Sequence, residues 1–336
     1  MATFRFTAGP WNIHEGNETF GPGHRKSIPL EEKMKKYAEI GLAGMQFHDD
    51  DAVPDMNNMT EKQIIDYAKD VKAMLDKYGL FAEFVAPRLW FDKRTNDGGF
   101  TASRKEDREF AQWRARRSCD IAKALGTNKI QLWLAREGTL CAEGKNPVEM
   151  TLQLRDAFND ILTYRDDALI LVEPKPNEPI DRSICGTAGH ALAVGLCIES
   201  AHSILAGLDP ANDMGFALAL NKLWGVHLND QNGCRYDQDK SFGVDNLRNA
   251  FNQVKVLYEN NYGDRGNFEC VGLDVKAMRT QPDEDCYRHL INSKRIFELL
   301  LDKVKHFDYE FQAACVKEQN FEKLEMYVME LLMGIK

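Results

Sequence analysis

The side chains best suited to chemistry in this sequence are carboxylates and imidazoles that end or follow short apolar runs. Glu173 follows the run 168–172, and Glu199 follows the run 194–198 with His202 three residues later. The later runs supply four more such residues: His227, Asp237, Asp239 and Asp274. A single acid after an apolar run is most often a helix cap or a solvated surface group. Five carboxylates gathered in one place would raise one another's pKa and oppose folding, so they require a positive partner.

Divalent cations satisfy this requirement. Magnesium and manganese prefer carboxylate oxygens and accept one or two imidazole nitrogens. Two such ions nearly balance the charge of the five acids, so the sequence predicts a centre of two divalent cations held by those acids. His202 and His227 are predicted as nitrogen ligands, because a zinc-only site would more often use cysteines or three histidines.

Other polar residues follow the remaining runs. His48 is followed after three residues by Asp51, an acid that can hold the imidazole in one tautomer while it passes a proton to an oxygen. Lys175 lies two residues after Glu173 in the stretch EPKPNEP, so a positive charge follows the fifth run as well. Arg136 and Glu137 follow the fourth run.

The elements that must position these side chains alternate between short apolar runs and longer amphipathic segments. This alternation predicts βα units around a parallel sheet, with strands at residues 4–7, 44–47, 81–85, 129–132, 168–172, 194–198, 225–228 and 268–273. Eight strands would close a (β/α)8 TIM barrel, whose strands converge at their C-terminal ends on one catalytic face. We expect one barrel domain over residues 1–308 and a C-terminal helical tail over 309–336. Only the interval between residues 173 and 194 leaves little room for a helix.

Composition excludes several classes of function. A formal net charge of -9 argues against a nucleic-acid partner, which requires a basic face. The sequence has no run of eighteen apolar residues, so we expect no membrane span. The eight cysteines are scattered without a C-x-x-C pair, and the first residues lack the pattern of a secretory signal. A cytoplasmic protein with reduced thiols and a small-molecule ligand is predicted.

Seven motifs, met in the same order along the chain, resemble those of the xylose isomerase family of metal-dependent TIM-barrel enzymes. They are FHDDD at Phe47, NDGGFTA at Asn96, WLAREG at Trp133, EPKPNEP at Glu173, E-x-x-H at Glu199, YDQDKSFG at Tyr236 and LDVKAMRT at Leu273. The resemblance extends from Arg5 to about Asp308. It implies an enzyme that interconverts aldoses and ketoses, with a monosaccharide as substrate.

The resemblance also implies roles for individual residues. A first cation would be held by Glu173, Glu199 and Asp274, and a second by Glu199, His202, Asp237 and Asp239. His48 and Asp51 would open the cyclic sugar, and Lys175 would polarise the C1 oxygen during a metal-assisted 1,2-hydride shift. Aromatic side chains would wall the substrate site: Trp11, Trp90, Trp133 and, contributed by a neighbouring subunit, Phe20.

Three departures from the family pattern stand out. His227 falls where the family has an aspartate ligand of the first cation, as in the L-rhamnose isomerase relatives, and a nitrogen ligand should shift preference from Mg²⁺ toward Mn²⁺ or Co²⁺. The segment between Lys175 and Glu199 is shorter, with the loss of most of the fifth helix. The long C-terminal arm that clasps subunits is largely absent, although a role for Phe20 still implies a homo-oligomer, either a dimer or a tetramer.

Three other hypotheses remain open from the sequence. A sugar epimerase could move a proton with Glu173 and Glu199 as bases around a single metal. A metal-dependent phosphodiesterase on the same fold is disfavoured by the acidic charge. A sugar-binding barrel without activity would not require His48, Asp51 and Lys175.

Overall fold

Eight parallel strands close a barrel in the computed structural model, which describes residues 4–18, 21–191 and 194–335. The barrel strands are Phe6–Ala8, Gly44–His48, Phe81–Ala86, Lys129–Trp133, Leu169–Glu173, Gly195–Glu199, Leu223–His227 and Val271–Gly272. Each strand pairs with its neighbours in chain order, and the first pairs with the eighth. The predicted (β/α)8 TIM barrel is confirmed, and every strand overlaps its predicted range.

Helices surround the barrel, and several of them begin after a residue whose side chain caps the helix. Thr60 accepts a hydrogen bond from the backbone N–H of Gln63, and Asn146 caps a helix whose first residue is Pro147. The helices are Leu30–Glu39, Asp49–Ala52, Glu61–Lys77, Lys105–Leu125, Pro147–Tyr164, Ser200–Leu205, Pro210–Ala219, Leu247–Glu259, Arg288–Lys305, Tyr309–Glu318 and Phe321–Met333. In the described part of the chain, none of them is both long and apolar enough to cross a membrane.

The interval after the fifth strand contains no α-helix among its described residues, as the sequence predicted. Instead, Arg182–Ser183 pairs antiparallel with Gly138–Thr139, which follows the fourth strand. Gly138 adopts a φ of 149°, and a Cβ added there would lie 2.0 Å from the carbonyl oxygen of Arg182. Only glycine fits this close approach. The ribbon therefore ties the loop after the fifth strand to the loop after the fourth.

The register of neighbouring strands places the last residues of these strands at the same level along the barrel axis. Glu173 is the register partner of Trp133, and Glu199 is the register partner of His227. Because parallel strands in a barrel end on the same face, these four side chains meet at the C-terminal mouth.

The two C-terminal helices pack on the outside of the barrel. The ring of Tyr327 contacts that of Phe307 edge to face, with 5.3 Å between centroids. The ammonium of Lys303 donates to the carbonyl oxygen of Leu331 at 2.5 Å. These contacts join the tail to the last helix of the barrel, while the domain boundary at residue 308 stays a prediction.

Candidate metal centre

A cavity of about 330 Å³ opens at the C-terminal ends of the barrel strands. Most of the sequence-predicted site residues line it: Trp11, His48, Trp90, Trp133, Glu173, Glu199, His202, His227, Asp237, Asp239 and Asp274. Asp51 and Lys175 do not line the cavity, but each contacts a residue that does. Phe20 lies outside the described residues.

Side chains from the ends of four consecutive strands form a first cation group: Glu173, Glu199, His227 and Asp274. Nδ1 of His227 lies 3.2 Å from Oε2 of Glu173, 3.5 Å from Oε2 of Glu199 and 3.6 Å from Oδ2 of Asp274. This nitrogen is buried and has no hydrogen-bond partner among the described residues. A buried nitrogen that faces three carboxylate oxygens without a hydrogen bond is the arrangement expected of ligands around a cation.

A second cation group consists of Glu199, His202 and Asp237. Nε2 of His202 lies 3.2 Å from Oε1 of Glu199 and 3.3 Å from Oδ2 of Asp237. Glu199 therefore directs one carboxylate oxygen toward each group. A carboxylate in this position could serve as a ligand in both groups.

The second cation group does not include Asp239, whose oxygens pair with other residues. Its Oδ1 accepts a hydrogen bond of 3.0 Å from Nδ2 of Asn229, and its Oδ2 forms an ion pair with Lys276. Asp239 also has a φ of 45°, an uncommon conformation for a residue other than glycine. The role of Asp239 as a metal ligand stays a prediction.

The electrostatics of both groups fit divalent cations. Glu199 and His227 are 2% and 1% exposed, so their charges are poorly solvated. Burial raises the pKa of Glu199 to about 7. Burial alone would lower the pKa of His227, but Cys197 and Glu173 outweigh it and raise that pKa well above its usual value. Carboxylates and imidazoles are suitable ligands for Mg²⁺, Mn²⁺ or Co²⁺, each of which would stabilise the ionised form of Glu199.

Cation uptake should therefore depend steeply on pH. An incoming ion must displace the proton that Glu199 holds below about pH 7 and that His227 holds at neutral pH. We expect the apparent affinity for Mn²⁺ to fall roughly tenfold per pH unit for each displaced proton as the pH is lowered from 8 to 6. Calorimetric titration of chelator-treated protein at several pH values would measure this. A pH-independent affinity would contradict the proposed ligands.

A histidine, an aspartate and an arginine meet at the opposite side of the cavity. Nδ1 of His48 lies 2.7 Å from Oδ2 of Asp51, as the spacing predicted, and also 2.7 Å from Nη2 of Arg88. Burial would raise the pKa of Asp51, but His48 and Arg88 outweigh it and lower that pKa to about 2. Asp51 therefore remains ionised and can accept a hydrogen bond from the imidazole.

Lys175 lies at the edge of the second cation group. Its Nζ donates to Oδ2 of Asp237 at 2.8 Å and to Oε2 of Glu178 at 3.2 Å, and it lies 5.2 Å from the ring centroid of Trp133. Burial would lower the pKa of Lys175, but Asp237 outweighs it and raises that pKa. The side chain is thus a buried ammonium next to a predicted metal ligand.

Three tryptophans form an apolar wall beside His48. The ring centroids of Trp11 and Trp90 lie 4.2 and 5.2 Å from that of His48, and Trp90 packs edge to face on Trp133 at 4.6 Å. Nε1 of Trp11 also donates to Oδ1 of Asp274 at 3.0 Å. The wall therefore contacts both the imidazole and a carboxylate of the first cation group.

Several residues of the site were missed by the sequence analysis. Nε2 of Gln131 donates to Oε2 of Glu173 at 2.5 Å, and Nδ2 of Asn229 donates to Oε1 of Glu199 at 2.9 Å. Asn229 and Lys276 could have been found from the sequence, because each is a polar residue two positions after a predicted ligand. Arg88 follows the third apolar run, so a search for polar residues after that run would have found it.

Arg136 and Glu137, by contrast, support a loop rather than the site. The carboxylate of Glu137 accepts hydrogen bonds of 2.8 to 2.9 Å from the backbone N–H groups of Gly99, Phe100 and Thr101, and one of 2.6 Å from the Thr101 hydroxyl. Nε of Arg136 donates to the carbonyl oxygen of Trp90 at 3.0 Å. These bonds hold the NDGGFTA loop and one wall tryptophan.

Substitution of Glu137 by glutamine should destabilise the protein. The side-chain amide of glutamine has one accepting oxygen, and its NH₂ group would face N–H or O–H donors of the loop. Buried donors of the loop would therefore lose their acceptor. We expect the free energy of unfolding to fall by roughly 2 to 4 kcal/mol. Urea denaturation would measure the change, with Glu149→Gln at an exposed position as the control. Equal stability of the two variants would contradict this role.

Solved structures of similar fold are numerous. D-psicose 3-epimerase from Clostridium cellulolyticum H10 superposes with a TM-score of 0.62 at 10% identity, covering 89% of this chain and 99% of that one. 3-Keto-D-glucoside 4-epimerase from E. coli gives 0.60 at 15% identity, covering 87% and 100%. A xylose isomerase domain protein from Alicyclobacillus acidocaldarius gives 0.60 at 15% identity, covering 90% and 100%. At these identities the likeness concerns the fold.

The sequence comparison reaches further than the fold. The family model of the xylose isomerase-like TIM barrel matches residues 34–266, which is more than half of the chain. The matched range contains Glu173, Glu199, His202, His227 and Asp237. This chain belongs to the xylose isomerase-like TIM barrel family.

Proposed function

We propose that this protein is a metal-dependent isomerase that interconverts an aldose and its ketose. The observation that carries the proposal is the placement of Glu199, whose Oε1 faces the second cation group and whose Oε2 faces the first. Glu173, Glu199, His227 and Asp274 would hold one ion, and Glu199, His202 and Asp237 would hold the other. When bound, two ions of Mn²⁺, Mg²⁺ or Co²⁺ supply Lewis-acid polarisation of sugar oxygens.

His48 is the residue placed to open the cyclic sugar. When Nδ1 of His48 carries the proton, it donates a hydrogen bond to Asp51 and cannot accept one from Arg88, and Nε2 is then available as a base for the C1 hydroxyl. The same nitrogen can return that proton to the ring oxygen, so no net proton is consumed. Trp11 and Trp90 hold the imidazole ring in place from two sides.

Lys175 and the aromatic wall assist the step between C1 and C2. The charged ammonium can stabilise negative charge that develops on the C1 oxygen. Trp11, Trp90 and Trp133 present apolar surface and limit the access of water. Exclusion of water favours hydrogen transfer within the substrate over exchange with solvent.

A sugar panel with isotopic labelling tests the proposal. The Mn²⁺-loaded protein should convert at least one member of a panel of pentoses, hexoses, deoxysugars and apiose between its aldose and ketose forms. Deuterium at C2 of the aldose should appear at C1 of the ketose. The absence of conversion across the panel would reject an isomerase.

An epimerase is the second candidate, and the composition of the two groups favours it. The first cation group has four ligands by itself, whereas the second has three because Asp239 is paired with Lys276. With a single ion bound, Glu173 and Glu199 could act as the bases that transfer the proton. Two of the similar structures are named as sugar epimerases. Inversion at one carbon, with loss to water of a deuterium label placed on that carbon, would identify this reaction.

A further inference from the structure

A cysteine that the proposed reaction does not use lies directly next to the first cation group. Cys197 is two residues before Glu199 on the same strand, so both side chains point to the same side, with the thiol deeper in the barrel. Its register partner is Gly225, where an added Cβ would lie 3.2 Å from Sγ of Cys197. The missing side chain at Gly225 thus leaves room for the thiol.

The thiol completes a compact set of three different ligand atoms. Sγ of Cys197, a carboxylate oxygen of Glu173 and a ring nitrogen of His227 all lie within 4.8 Å of one another. The three residues are 1%, 5% and 1% exposed. Both ring nitrogens of His227 are buried without a hydrogen-bond partner among the described residues, so this imidazole can serve as a ligand once an incoming ion displaces its proton.

We propose that Glu173, Cys197 and His227 form a separate site for a thiophilic divalent cation such as Zn²⁺ or Cd²⁺. One sulfur, one nitrogen and one oxygen ligand suit a tetrahedral ion, whose fourth position would be open. Mg²⁺ and Mn²⁺ have little affinity for sulfur and prefer the oxygen-rich first cation group. The two sites therefore discriminate between ions by ligand softness.

The shared ligands make the two sites mutually exclusive. Glu173 and His227 belong to both sets, so an ion in one site takes two ligands away from the other. Occupancy by zinc would therefore displace Mn²⁺ from the first cation group and inhibit the protein. This consequence rests on the proposed function, whereas the thiophilic site itself does not.

Cadmium titration tests the site without reference to activity. Cys141 and Cys234 are exposed and would bind cadmium, so the parent protein carries Cys141→Ser and Cys234→Ser. In the metal-free parent, Cd²⁺ should produce an ultraviolet thiolate-to-cadmium charge-transfer band that saturates at one ion per chain. Cys197→Ala should abolish the band, and Cys185→Ala, which removes another buried thiol, should leave it unchanged.

A second measurement tests the competition. One equivalent of Zn²⁺ should lower the affinity of the protein for Mn²⁺ at least tenfold. Electron paramagnetic resonance of free Mn²⁺ would measure this affinity. Cys197→Ala should remove most of the effect. If the alanine variant fails to fold, Cys197→Ser decides, since a hydroxyl gives no such band. A band that survives either substitution, or no band in the parent, overturns the proposal. Sugar conversion without a band rejects only this site, and a Cys197-dependent band without conversion rejects only the isomerase.

Discussion

Replacement of Glu199 by glutamine should weaken cation uptake at both groups and lower turnover by on the order of 10³-fold. Glu199 is the residue whose two oxygens face different groups, with Oε1 at 3.2 Å from His202 and Oε2 at 3.5 Å from His227. The amide removes the negative charge that both ions would share and keeps only one accepting oxygen. Titration of metal-free protein with Mn²⁺, followed by spin resonance, would give the affinity and number of bound ions.

Two further variants show whether Glu199 is a bridge. His202→Ala should weaken only the second ion, and Asp274→Asn should weaken only the first, because each belongs to one group. A Glu199→Gln variant that loses a single ion, as these do, would show that the groups are not joined through this carboxylate. Circular dichroism of each variant would confirm that the barrel remains folded.

The barrel and the position of its site could be predicted from the sequence because both follow from local patterns. Each strand is a short apolar run, and its end is marked by the first polar residue after the run. Parallel closure of the barrel then brings all these ends to one face. Glu173, Glu199, His227 and Asp274 therefore meet at one place although they are separated by up to about a hundred residues.

Residues whose surroundings depend on loop conformation were harder to place. Glu137 lies a few residues after the fourth apolar run, yet its carboxylate binds the loop at Gly99 instead of the site. Asp239 is close to Asp237 in sequence, but its carboxylate pairs with Lys276 and Asn229. Sequence spacing predicts that a charged side chain lies near the C-terminal mouth of the barrel. The conformation of the loop decides which residue pairs with that side chain.

Lys175→Met should lower kcat by roughly 10²- to 10³-fold while leaving cation uptake intact. Methionine keeps much of the volume but removes the ammonium that we propose meets charge on the C1 oxygen. Asp237 would lose the partner that lies 2.8 Å away, so its charge would be more available to a cation. Uptake at the second group should therefore stay equal or become tighter. Steady-state kinetics and Mn²⁺ titration of the same preparation would measure both effects.

Lys276→Met provides the matched comparison, because Lys276 also lies two residues after a predicted ligand and also pairs with an aspartate. Its loss should free Asp239 and tighten binding of the second ion. The change in kcat should be smaller than for Lys175→Met, because the ammonium of Lys175 remains beside Trp133. Two lysines with similar effects on kcat would mean that they act through overall charge rather than through position. A Lys175→Met variant that retained full turnover would remove this ammonium from the mechanism and leave the bound ions as the source of charge stabilisation.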